Sequence, residues 1–240
     1  NTVVNMTAGK IINNRNTSSI GHAGTVYVVS GATFNFSGGE ISGNNKTTTS
    51  DIMYGQQVYI SGGTMNFTGG SIIPTDSTRN AIYVYGTGTT ATTTGRLTLS
   101  NNIVLDSGFI YCSYPNSPPI ILNETLNPAS KFNINLGDNM AGCTLVDGTS
   151  AGTYPASVSN FILNPDLTSL SLSQSGNDVI VGSDAIYLHG SRGDDANDGS
   201  SATFAVKTLK RARERLDANG GNTIIGVRSA KRGNADGTSD

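Results

Sequence analysis

The chain has 240 residues, of which 36% are hydrophobic, 13% charged and 30 are Gly, with no Trp and a net charge of −2. That is about half the usual charged fraction of roughly 25%, and Asn, Ser and Thr fill the difference, which favours an all-β fold over helical bundles and doubly wound sheets. The acidic balance offers no basic face for nucleic acid or anionic membrane, no apolar run approaches the roughly 20 residues of a membrane span, and Asn1 opens no signal peptide, so the expectation is a soluble piece of something larger.

In chain order, the first feature is a repeat. VNMTAGKII (4–12), FNFSGGEIS (34–42), MNFTGGSII (65–73) and LTLSNNIVL (97–105) superimpose on Asn5, Asn35, Asn66 and Thr98, at spacings of 30, 31 and 32. A second motif interleaves: TVYVVSG (25–31), QVYISGG (57–63), AIYVYGT (81–87) and FIYCSYP (109–115). Its tyrosines, Tyr27, Tyr59, Tyr83 and Tyr111, lie 32, 24 and 28 apart.

Both motifs alternate, so each reads as a strand with one inner and one outer face. In the first motif the inner columns are Val4, Phe34, Met65, Leu97 and Met6, Phe36, Phe67, Leu99, followed after a Gly or Asn turn by Ile11, Ile41, Ile72, Val104. Asn5, Asn35, Asn66 and Thr98 therefore form an outward polar column. In the second motif Val26, Val58, Ile82, Ile110 and Val28, Ile60, Val84, Cys112 point inward, which turns the four tyrosines outward.

Columns of like residues at a one-coil spacing are what stacked parallel strands require, because each coil buries its inner face only against its neighbours. The reading is a right-handed parallel β-helix over residues 1–181, the hand following from the preference of parallel crossovers. Leucine-rich repeats would add a helical period, and propeller blades would return near 40–45 residues. From Pro115 the register loosens, and about 139–181 is assigned to terminal coils or a cap, since a solenoid needs its last coil covered.

Residues 182–240 differ in kind: a short strand, an acidic Gly-rich loop, an amphipathic helix, another strand and a polar tail. Val206, Leu209, Ala212 and Leu216 are expected to line the buried face of that helix, and Gly220-Gly221 to stop it.

At this point the chain resembles a family. The GGTMNFTGGSI and TVYVVSG coils are similar to the pectin-lyase-like β-helix repeats of large surface proteins from gut Gram-positive bacteria, over about residues 3–138. YLHGSRGDDANDGSSA (187–202), with the helix and TIIGV that follow, resembles the opening of a further such β-helix. The resemblance implies a secreted or cell-wall-attached bacterial protein, and a monomeric adhesin or stalk segment meeting a host glycan or a host protein, immunoglobulin among them. Enzymes of this fold class are mostly polysaccharide lyases and glycosidases.

That chemistry needs carboxylates gathered on one face. Glu40, Asp51, Asp76, Asp106, Glu124 and Asp138 form no pair and no repeating column, so no catalytic residue is assigned, and Asp76 with Arg79 reads as a loop ion pair. The alternatives to a binding segment are a carbohydrate-active enzyme and a purely structural spacer.

The tyrosine column has two readings: an aromatic platform for sugar or protein, or a ring ladder supporting its own sheet. The Asn5, Asn35, Asn66, Thr98 column likewise reads as an amide ladder or a glycan contact. Sequons at Asn5, Asn16, Asn35, Asn45, Asn66 and Asn123 are expected by chance in such a composition. Thr47–Thr49 and Thr87–Thr94 resemble ice-binding solenoids in composition alone.

Cys112 and Cys143 are 31 apart, about one coil, which permits a disulfide or two separate thiols. No cofactor is called for, and two Cys with the distant His22 and His189 make a poor metal set. Asp194, Asp195, Asn197 and Asp198 are the densest oxygen cluster. They read either as a weak Ca²⁺ site lacking full EF-hand spacing or as an Asx-rich turn at the entrance to the helix.

Overall fold

The computed structural model describes residues 2–16, 25–46, 56–86, 95–113, 117–137, 140–167, 170–183, 185–197, 199, 205–219 and 223–226. Thr47–Thr49, Thr87–Thr94, Pro115, Asp51, Asp138, His22, Asp198, Gly220, Gly221 and the tail from 227 lie outside the described residues. The chain divides into two compact units, Asn1–Val181 and Gly182–Asp240.

The first unit is a parallel β-solenoid. Its first sheet lays Thr2–Met6, Ala32–Ser42, Thr64–Ile73, Arg96–Leu99, Ile120–Leu122 and Thr144–Asp147 side by side, each parallel to the next. The second sheet does the same with Val26–Val29, Val58–Ser61, Asn80–Tyr85, Phe109–Ser113, Phe132–Leu136 and Phe161–Leu163. The chain alternates between the sheets, so each coil places one strand in each. Lys10–Ile12 joins the first sheet beside Ala32–Ser42, and Ile103–Leu105 joins it beside Thr64–Ile73.

The register is that of the repeat. Phe34 stands opposite Met65, Asn35 opposite Asn66 and Phe36 opposite Phe67, while Tyr27, Tyr59, Tyr83 and Tyr111 stand opposite one another in turn. Between the sheets Phe36, Phe67, Ile41, Ile72, Ile60, Ile82, Leu97 and Ile110 are fully buried in one continuous core. Removing side chains of this size from water is worth roughly 1.5–3 kcal/mol each.

A corner inside the first sheet explains the Gly pairs. Gly9, Gly39 and Gly70 all have positive φ, at 91°, 105° and 88°, and a Cβ on Gly39 would fall 2.5 Å from the Gly9 carbonyl oxygen. Both the backbone conformation and the coil spacing therefore demand glycine.

Two sequence expectations are corrected. Val104 is 54% exposed, and Leu105 takes the inner place opposite Ile72. The turn at Asn101-Asn102 holds one residue more than the Gly pairs do, and a slip of one reverses every side chain that follows. Leu209 is 62% exposed, because it is the first residue of the helix Leu209–Asn219, and Val206, just before the helix, fills the core in its place.

The second unit pairs Ala185–Leu188 with Thr223–Gly226 in parallel, with Val206 bridging to Leu188. Ile186, Val206, Ala212 and Leu216 form its core, with Leu188 and Ile224 against them.

Candidate functional site

Period-two alternation places two outward columns on the solenoid, and both are built. In the first sheet Asn35 Nδ2 donates to Asn5 Oδ1 at 2.7 Å, Asn66 Nδ2 to Asn35 Oδ1 at 2.8 Å, and Thr98 Oγ1 to Asn66 Oδ1 at 3.0 Å. The column is thus an amide ladder, running with one donor direction through four coils. It stops where Ile121 follows Thr98.

In the second sheet the rings of Tyr27 and Tyr59 lie 5.1 Å apart, those of Tyr59 and Tyr83 5.1 Å, and those of Tyr83 and Tyr111 4.6 Å. Tyr85 adds a second row, 5.9 Å from Tyr59 and 6.0 Å from Tyr83. The four tyrosines pack on one another in succession. They face away from the core, but Tyr59 is 0% and Tyr83 4% exposed, and only Tyr27, at 46%, is open. Tyr111 is half-buried, and beyond it the column passes to Asn135, whose amide donates to Asn80 Oδ1 at 3.2 Å.

A third polar cluster was not singled out from the sequence. Asn44, fully buried, donates to the Ile11 carbonyl and to Gln57 Oε1, at 2.9 and 2.6 Å, while its own Oδ1 accepts from the Asn14 backbone N–H at 2.9 Å. Its carbonyl accepts from Gln57 Nε2 and Thr75 Oγ1. The available signal was the 30-residue step from Asn14 to Asn44, matched one place earlier by Asn13 and Gly43, both at positive φ.

The carboxylates are each held locally. Glu40 sits 2.8 Å from Lys10 Nζ and accepts from Ser42 Oγ; these two hydrogen bonds lower its pKa. Asp76 accepts from the Thr78 hydroxyl and N–H and from Arg79 Nε, which lowers its pKa in the same way. Glu124 Oε1 accepts the Asn101 N–H at 2.8 Å. Asp147 shows the strongest effect. Burial pushes its carboxyl up, but hydrogen bonds from the hydroxyls and N–H groups of Ser150 and Thr149 outweigh it and bring the pKa to about 2.

Cys112 and Cys143 are not bridged. The coil after Cys112 is only 24 residues long, so the register sets Leu136 opposite Cys112, and Cys143 leads into Thr144–Asp147 on the other sheet. Burial pushes the Cys112 thiol far above its ordinary range, which makes it an inert core residue.

In the second unit Asp195 reaches the helix entrance. Its Oδ1 accepts from the Lys207 and Thr208 N–H groups, at 2.9 and 2.8 Å, and its Oδ2 from Thr208 Oγ1 at 2.9 Å. Although burial acts to raise its pKa, these bonds and the Arg211 charge hold it below the usual carboxylate value. Thr208 Oγ1 in turn accepts the Arg211 N–H, capping the helix. Asp194 Oδ1 accepts the Ala196 N–H, and Asn197 donates its amide to the Ala205 carbonyl. Asp195 therefore stands at the helix entrance with both carboxylate oxygens already carrying donors. Among the described residues no group of three or more His, Cys, Asp and Glu could hold a metal ion. His189 lies at the head of the same loop, its Nδ1 accepting the Arg192 N–H at 3.1 Å.

No family model, no characterised protein and no solved structure matches the chain.

Proposed function

We propose that residues 1–181 form a non-catalytic β-helical stalk or binding segment of a secreted or cell-wall-attached bacterial surface protein, of the pectin-lyase-like repeat type, presented to a host glycan or host protein. Residues 182–240 are the start of a following β-helix module. The observation that carries this reading is where the polar and aromatic columns direct their chemistry. The amides bond along the stack and the rings pack along it, which stiffens a rod. Glu40, Asp76, Glu124 and Asp147, the groups an enzyme of this fold class would gather, are held by partners on their own or an adjacent coil.

Contact with a ligand falls to the exposed Tyr27 and the half-buried Tyr111, one at each end of the ladder. The test is a glycan array with a host-protein panel that includes immunoglobulin, run beside a reducing-end and unsaturated-product assay on plant and host polysaccharides. The reading expects binding without turnover. Product release would replace it with the lyase or glycosidase alternative, and neither binding nor turnover would reduce it to a spacer.

A further inference from the structure

The outer face of the first sheet carries a polar grid beside the amide ladder. Phe34, Met65 and Leu97 turn into the core, so their neighbours Thr33, Thr64 and Arg96 turn outward, in register on successive coils. Two residues along the same strands come Asn35, Asn66 and Thr98. Neighbouring coils are about 4.8 Å apart and the two columns about 6.6 Å. The coil spacing is close to the length of one pyranose residue, so an extended glycan lying along the stack would offer one sugar to each coil.

The free hydrogen-bonding groups of this grid are rich in donors. Asn35 and Asn66 each use one amide N–H in the ladder and keep the other. The hydroxyls of Thr33 and Thr64 have no protein partner among the described residues. Arg96 is half-buried, and its guanidinium meets no acceptor among the described residues. The other half-buried arginine of this unit, Arg79, lies on Asp76. Glu40, Glu124 and Asp147, carboxylates that could have served Arg96, are engaged with Lys10, with the Asn101 N–H and with Thr149 and Ser150. A guanidinium partly withdrawn from water without an acceptor bears a cost that a bound anion removes.

We propose that the grid around Arg96 binds a sulfated glycan, with a sulfate ester on Arg96, Thr64 and the spare amide N–H of Asn66, and neighbouring sugar hydroxyls along Thr33 and Asn35. The charge selects an anion, and the arrangement selects among anions. Arg96, Thr64, Asn66 and Thr98 are the corners of one grid cell, and the first three bring donors to it from two adjacent coils. Three donors suit the three terminal oxygens of a sulfate ester better than the two of a carboxylate, and a guanidinium is weakly hydrated for a cation. This inference rests on the glycan-binding part of the proposed function and adds a contact on the other sheet from Tyr27 and Tyr111.

The test is titration calorimetry of the full chain at about 0.15 M salt with chondroitin sulfate, hyaluronan and dextran. Chondroitin sulfate is expected to bind about tenfold or more tightly than hyaluronan, which has carboxylates without sulfates, and dextran not to bind. Arg96→Gln should lower the chondroitin sulfate affinity about tenfold and Thr64→Val about threefold, whereas Lys210→Gln, on the helix of the second unit, should leave it unchanged. The proposal is overturned if chondroitin sulfate does not bind, if hyaluronan binds as well, if Arg96→Gln and Thr64→Val bind as the parent chain does, or if Lys210→Gln costs as much as Arg96→Gln. The wider reading outlives those results where the array still finds a ligand that Tyr27→Ala with Tyr111→Ala weakens. Both fall where the array finds no ligand at all.

Discussion

The asparagine and tyrosine columns share one geometry, outward positions repeated coil by coil, yet they meet solvent differently. Asn5 is exposed and Asn35 and Asn66 are half-buried, each holding the next by a single hydrogen bond. Tyr59 and Tyr83 point the same way from their sheet and are almost completely buried, each between two rings with Tyr85 alongside. A ring is large enough to cover its neighbours, and an amide is not. Pointing outward therefore fixes a residue's face but not its exposure, and a column of large rings becomes a small second core outside the first.

The sharpest way to break that comparison is to remove a ring from the middle of the stack. Tyr59→Ala is expected to cost about 3–4 kcal/mol and to lower the melting temperature by roughly 10 °C, as for a core aromatic, read by thermal unfolding. Next in size is the contrast between two amides. Asn44→Ala strips partners from buried groups and is expected to cost about 2–3 kcal/mol in urea unfolding, whereas Asn35→Ala, in the partly exposed ladder, should cost about 1 kcal/mol or less.

Asp147 sharpens the comparison through pH. Its carboxyl titrates at about 2 in the fold against an ordinary 3.8, so its stabilisation is present above pH 4 and is lost as the pH falls toward 2. The shift corresponds to about 2 kcal/mol, and Asp147→Asn should remove that part of the acid sensitivity in unfolding curves taken between pH 5 and pH 2. Smallest in stability is Tyr27→Ala, at about 1 kcal/mol or less. Combined with Tyr111→Ala it should weaken the binding of whichever glycan or protein the array identifies, by a larger factor than it changes folding.

The stacking register was legible in the sequence because apolar pairs such as Phe34 and Met65 recur at the coil length, and the coil length is what parallel pairing measures. Val104 was misread where that length changed inside a turn, and the Cys112–Cys143 spacing imitated a coil that is in fact 24 residues long at that point. The direction of the tyrosines was readable from alternation, but their burial was not, because it arises where rings from adjacent strands, with Tyr85 two residues along from Tyr83, cover one another. Asn44 escaped notice because its partners, Asn14, Gln57, Thr75 and the Ile11 carbonyl, are scattered along the chain and share no motif. The Asp195 contact with Thr208 was foreshadowed only as a turn at the helix entrance, since a carboxylate that could cap a helix is also one that could bind a cation.

The claim on which the rest turns is that the tyrosine ladder supports the fold by ring-on-ring contact rather than standing as a set of independent surface residues. A double-mutant cycle on Tyr59→Leu and Tyr83→Leu, followed by urea unfolding, measures that contact directly. The account predicts a coupling energy of about 0.5–1.5 kcal/mol between the two positions. Strict additivity of the two single losses would contradict it.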